Sequence, residues 1–268
     1  MNKIQKTIKY IAIALGIYLV ISIFIMLLSF VNGITNFTEL FDKKDENNNS
    51  VTHNLNNNTM NLDIDIPYSN LKIVNGEEFK LETNNKDLKI VENNNTLYLK
   101  DKKNIFKNRN YDITIYLPVD ANLDNINIDA GAGKLDIDTL KSNNLKLDLG
   151  AGLVNINTLI VNNSTDINTG AGSLKIASGN LNNFDLDMGV GEVTINTILS
   201  GNNKIDAGVG KLSINLLDSI NNYMLDIDKG IGSINLNSEK LSSGIYGNGL
   251  SKLKIDGGVG SVKITTVN

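Results

Sequence analysis

A Gly-x-Gly triplet recurs seven times in the second half of this 268-residue chain, starting at Gly131, Gly150, Gly170, Gly189, Gly208, Gly230 and Gly258. The partners that close the triplets are Gly133, Gly152, Gly172, Gly191, Gly210, Gly232 and Gly260, and the spacings between starts are 19, 20, 19, 19, 22 and 28 residues. A period near 20 residues with one supersecondary unit per repeat defines a solenoid. Aligned on the first glycine, three columns are aliphatic throughout. Ile128, Leu147, Ile167, Leu186, Ile205, Ile227 and Ile255 stand three residues before it. Leu135, Val154, Leu174, Val193, Leu212, Ile234 and Val262 stand four after it, and Ile137, Ile156, Ile176, Ile195, Ile214, Leu236 and Ile264 six after. Polar residues alternate with them, which is the period of a half-buried strand.

These patterns predict an all-β fold: a single-stranded β-solenoid with coils of about 20 residues, each holding two or three short strands. No coil buries its apolar face alone, so stacking makes the core. Seven coils at about 4.8 Å each predict a rod of roughly 35 Å from the repeats. The glycines are expected to turn the chain through positive φ. The apolar middle residues (Ala, Val or Ile) predict a corner tucked inward.

Ahead of the repeats, Tyr10–Val31 carries no charge over 22 residues. At about 1.5 Å rise per residue that spans a bilayer of about 30 Å. The run is longer than the apolar core of a cleavable signal peptide and is read as a transmembrane signal-anchor. Lys3, Lys6 and Lys9 precede it. This positive side predicts residues 1–9 as a short cytoplasmic tail and the carboxyl part as extracytoplasmic, in a single-pass membrane protein. Residues 32–59, ending in the Asn-rich DKKDENNNSVTHNLNNNT, read as a flexible polar tether. Residues 60–118 alternate without Gly-x-Gly and read as irregular coils that cap one end; residues 119–268 are the repeats proper. The last repeat stops at Asn268, which predicts an open edge there for self-association.

Composition narrows the chemistry. The chain has no Cys, so it has neither disulfides nor a thiolate metal site. Its net charge is −4, and setting aside the three lysines of residues 1–31 leaves −7 on the rest. With Arg109 as the lone arginine, this excludes nucleic acid as a partner. Asn occurs 44 times. AT-rich coding accounts for most of that abundance and left-handed turns for a smaller part.

Two residues before each first glycine stands a polar column: Asp129, Asp148, Asn168, Asp187, Asp206, Asp228 and Asp256. One reading is a ladder of oxygen ligands for a hard cation. The other is local, each carboxylate accepting backbone N–H bonds from its own glycine corner. A repeating column supplies no singular pair of unlike carboxylates, so glycosidase chemistry is not expected, and no cofactor is implied. His53 falls in the tether without a ligand partner. The stretch Lys240–Lys252 lengthens the last repeat as a loop, with Tyr246 as a candidate contact residue or part of a plain bulge. Arg109 sits in a basic loop that would face solvent, lipid or wall polymer.

The repeat with its GAG, GVG and GIG turns, and the terminal IDGGVGSVKI after a glycine-rich loop, resembles the β-strand-repeat family of putative adhesins. That family is similar to the toastrack domains of cell-envelope proteins, including LiaG-like proteins of Gram-positive bacteria. The resemblance spans about Met60–Asn268. It implies a non-catalytic, envelope-facing role in sensing, scaffolding or adhesion, and assigns the repeat glycines as fold-determining positions. The partners expected are the membrane and an envelope protein or cell-wall component. The alternatives are a cation-stabilised structural rod and a polysaccharide-active solenoid enzyme.

Overall fold

In each repeat the three aliphatic columns point to one side of the chain, and the computed structural model, which describes residues 50–101 and 111–267, closes them into one core. Of the twenty-one column residues, all are buried except Leu236, which is half-buried. Fully burying each such side chain contributes about 1.5–3 kcal/mol. A fourth inward column lies five residues before the first glycine and includes Ile126, Leu145, Phe184, Leu225 and Leu253, all buried. It escapes the sequence pattern because Thr165 and Asn203 interrupt it, and both of these are buried too. Asn203 is satisfied there: its Oδ1 accepts from Phe184 N at 3.0 Å and its Nδ2 donates to Lys252 O at 2.9 Å.

The strands in chain order are β1 (Val51–Asn54), β2 (Asn61–Gly76), β3 (Lys80–Thr83), β4 (Lys89–Asn93), β5 (Thr96–Lys100), β6 (Asp112–Pro118) and β7 (Leu123–Ile176). There follow β8 (Gly179–Asn182), β9 (Phe184–Ser200), β10 (Asn202–Ser219), β11 (Tyr223–Asp228), β12 (Ile231–Leu236), β13 (Glu239–Leu241), β14 (Gly244–Tyr246) and β15 (Ser251–Val267). They form one 15-stranded sheet that winds around the core. The long β7 passes through several corners without losing its ladder. The middle of the stack is parallel and in register, Ile167 against Leu186 and Ile205 against Leu186.

Both ends of the stack depart from chain order. At the amino-terminal end β2 pairs with β7 residue for residue, Leu62 with Ile126 and Ile73 with Ile137. Residues 60–76 are therefore a regular coil, not an irregular cap. Its corner is Pro67-Tyr68-Ser69, with Tyr68 opposite Ala132 and Ser69 opposite Gly133. The chain then places β5 and β6 on the outer side of β2 before crossing back to β7. Antiparallel β4 and β3 cover β5 and β6.

The carboxyl-terminal end mirrors this in reverse. β15 pairs with β10 on one side and with β11 and β12 on the other. The chain's last coil is thus inserted into the stack, and the open edge expected near Asn268 is not there. The outermost coil is β11–β12, covered by the short antiparallel β14 and β13.

Two further expectations are corrected. Val51–Asn54, read as tether, is a strand paired with β3, with His53 opposite Leu81. Leu55 and Thr59 beyond it are buried, so the folded unit begins before residue 60. The β-forming Val-Thr pair within an Asn-rich run is what an edge strand needs. Second, the middle residues of the corners do not tuck inward. They are half-buried from Ala132 to Val209, and Val259 and Ile231 are exposed. The anchor Tyr10–Val31, the tail before it and the basic loop with Arg109 lie outside the described residues. Among the described residues no helix is long and apolar enough to cross a membrane.

Candidate functional site

The corners are tight because neighbouring coils meet there backbone to backbone. A Cβ on Gly150 would fall on the carbonyl oxygen of Gly131, and one on Gly170 on that of Gly150. Only the second glycine of each triplet has positive φ, for example +154° at Gly152. The first is glycine for lack of space. This stacking brings the residues before each corner into straight outward columns.

The column two before the corner runs, in stacking order, Lys100, Asp65, Asp129, Asp148, Asn168, Asp187, Asp206, Asp256 and Asp228. It is longer than the sequence shows, because β2 adds Asp65 and β5 closes it with a lysine. These carboxylates have partners both along the column, from Lys100 and Asn168, and beside it on the same strand, from Lys146, Lys204 and Lys254. Lys100 pairs with Asp65 at 2.9 Å, Lys146 with Asp148 at 3.3 Å, Lys204 with Asp206 at 2.6 Å and Lys254 with Asp256 at 3.0 Å. Asn168 Nδ2 donates to Asp148 Oδ1 at 2.7 Å. Such half-exposed pairs are worth about 0–1 kcal/mol each. They offset the repulsion between stacked carboxylates.

Electrostatics is uneven along the column. A hydrogen bond from Lys204 holds Asp206 below the usual aspartate range. A hydrogen bond shared with Asp206, then burial, pushes Asp187 above it. Among the described residues no group of three or more His, Asp or Glu is arranged to hold a metal ion.

Beside the carboxylates run amide ladders that the sequence reading missed. Asn125 Nδ2 donates to Asn61 Oδ1 at 2.9 Å, and Asn144 Nδ2 to Asn125 Oδ1 at 3.1 Å. Asn143 bridges Asp124 and Asn162 in the same way, and Asn215 bonds Asn196. Asn94, Asn95, Asn183 and Asn237 occupy left-handed positions. Part of the asparagine content thus has a structural use beyond left-handed turns: an amide both donates and accepts, so it stacks on its own copy.

The stretch Lys240–Lys252 is not a loose loop, since Gly244–Tyr246 is β14. Tyr246 is half-buried against the core, and its hydroxyl accepts from Ser242 N at 3.2 Å and donates to Ser242 O at 2.9 Å. It anchors a cap.

The geometry defines a β-solenoid closed at both ends by antiparallel strands, with periodic polar ladders on its outer faces. The chain belongs to the Toastrack DUF4097 family, whose model matches residues 42–249. Among solved structures it is similar to a putative adhesin from Bacteroides fragilis. That match has a TM-score of 0.52 at 15% identity, over 81% of this chain and 96% of that one. A putative cell adhesion protein from Clostridium sporogenes aligns over 82% of this chain and 99% of its own, at 15% identity and a TM-score of 0.35. At this identity the first likeness is one of fold. No curated protein matches the chain.

Proposed function

We propose that this protein is a non-catalytic binding or scaffolding component of the cell envelope. In this reading Tyr10–Val31 holds it in the membrane and the solenoid stands outside. The observation that carries the reading is the distribution of its chemistry. The outward carboxylates and amides are repeated along a face and bonded to one another, the arrangement of a contact surface rather than of a reaction centre. The capped ends keep such a face soluble while leaving it free along its length. The fold neighbour described as an adhesin points the same way.

The test is cross-linking of intact cells carrying the full chain with a membrane-impermeant lysine reagent, followed by identification of the linked peptides. Links from lysines of residues 50–267 to another envelope component support the reading. Links only between copies of this chain move it to a structural rod. Protection of every lysine in that region, with labelling after lysis, would sink the extracytoplasmic placement.

A further inference from the structure

At the amino-terminal end of the stack the outer face changes character. There β4, β5, β2 and β7 lie side by side. One row across them is Val91, Tyr98, Asp63 and Asn127, and the next is Lys89, Lys100, Asp65 and Asp129. Together they line a groove of about 420 Å³. Tyr98 is 41% exposed and Val91 38%. Along the coils between the antiparallel caps the Tyr98 column is polar: after Asp63 and Asn127 it continues as Lys146, Asp166, Asp185, Lys204, Lys254 and Asp226. The repeat thus does not require an aromatic here, and the core does not use it. An aromatic ring left on a polar sheet face offers a flat apolar plate to a ligand.

The neighbouring groups are set for hydroxyls. Asn127 Nδ2 donates to Asp63 Oδ1 at 3.1 Å. That bond orients both side chains and leaves the other carboxylate oxygen, the amide oxygen and one amide hydrogen available, acceptors and a donor side by side. Lys100 is engaged by Asp65. Lys89, across from it, has no ion-pair partner among the described residues and adds a donor at the rim. Two lysines against Asp63, Asp65 and Asp129 leave the groove one negative charge, which disfavours an anionic ligand. The groove also lies on the face of the sheet, where backbone groups are already paired in the ladders, so an added peptide strand has nothing to bond.

We propose that this groove binds an uncharged pyranose glycan. A sugar ring stacks on Tyr98 beside Val91, and its hydroxyls bond to Asp63, Asn127 and Lys89. The proposal rests on the binding reading above and names the ligand of one part of that surface.

The test is isothermal titration of the full chain, in a detergent without a sugar headgroup, with cellohexaose, chitohexaose and mannohexaose, and with hexagalacturonate as the charged control. At least one neutral hexasaccharide is expected to bind with a Kd of about 1 mM or tighter, and hexagalacturonate more weakly. Tyr98→Ala and, separately, Asn127→Ala are expected to weaken binding about tenfold. Tyr246→Ala, at the other end of the stack, leaves it unchanged. Circular-dichroism melting verifies that each variant folds, and amide shifts on titration locate the site in the unaltered protein. The proposal is overturned if no neutral hexasaccharide binds at about 10 mM, if Tyr98→Ala binds as well as the parent, or if the shifts fall elsewhere. Envelope cross-links that persist in a chain binding no glycan would remove this site and leave the binding reading standing.

Discussion

Asn168 Nδ2 donates to Asp148 Oδ1 at 2.7 Å across the coil boundary. Asn168 also reaches Asp166 Oδ1, at 3.2 Å. It is the one amide in its column among the repeats, and it turns a like-charge contact into two hydrogen bonds. Asp187 stands on the next coil without such relief, against Asp206.

Asp187→Asn is expected to stabilise the protein by about 0.5 kcal/mol at neutral pH, the scale of one cross-strand pair. The pH dependence follows from the shift. Asp187 is raised in the folded state, so folding favours its protonated form. Its charge takes stability away increasingly as pH rises from the ordinary aspartate value through the raised one. The gain from the amide is therefore full above the raised value and vanishes below the ordinary one. Asp206 has the opposite sign, since its lowered pKa contributes stability that is lost as pH falls through that value. Thermal melts of Asp187→Asn and the parent between acid and neutral pH check this. A gain that persists undiminished in acid would contradict it.

Gly150→Ala and Gly244→Ala separate crowding from backbone strain. Gly150 does not have positive φ, but its added Cβ would fall on the Gly131 carbonyl oxygen. Relief requires moving two coils apart, and a loss of about 3 kcal/mol or more is expected. Gly244 has φ +151°, yet its Cβ would meet nothing closer than 3.9 Å. There the cost is conformational, about 1 kcal/mol. Denaturant titration of both variants orders them, and equal losses would show that the corner relaxes.

Asn203 sits in an inward column between Phe184 and Leu253 and bonds to both neighbouring coils. Asn203→Ala removes the acceptor for Phe184 N and leaves that donor buried, at a cost of about 2 kcal/mol. Asn203→Leu buries more apolar surface but also orphans the N–H, so it is expected to recover only part of the loss. Amide exchange at Phe184 should quicken in both. An Asn203→Leu variant more stable than the parent would mean that the column tolerates a continuous apolar stack.

The core was legible because its signal is local. Ile128, Leu135 and Ile137 lie within ten residues, and their spacing repeats regardless of which coil lies beside them. The order of the coils was not legible for the same reason: identical columns fit one another in any order. The signal for insertion was the long 28-residue spacing after Gly230, which accommodates β13 and β14. The first coil was masked because Pro67-Tyr68-Ser69 replaces the glycine corner, although Leu62-Asp63-Ile64-Asp65 repeats the alternation of Ile126-Asn127-Ile128-Asp129. Tyr98 could not be singled out, since the register that places it beside Asp63 depends on β5 crossing to the outer side of β2.

The insertion of β15 yields the sharpest structural prediction. Truncation after Ser219 removes the two coils beyond β10 and the caps with them, leaving the remaining stack shorter by whole units. Truncation after Leu250 removes only β15, yet β11 and β12 then lose the partner that ties them to β10. Their buried Tyr223, Leu225 and Ile234 would be left facing an empty coil position, across which the Tyr223 hydroxyl accepts from Leu199 N at 3.2 Å. The shorter deletion is therefore expected to be the more damaging per residue removed, with dye-binding apolar surface and aggregation through the exposed edges. Size-exclusion chromatography and dye binding of the two truncated chains compare them. If the chain ending at Leu250 stays monomeric and binds no more dye than the one ending at Ser219, β15 is not the element that holds the outer coil in place.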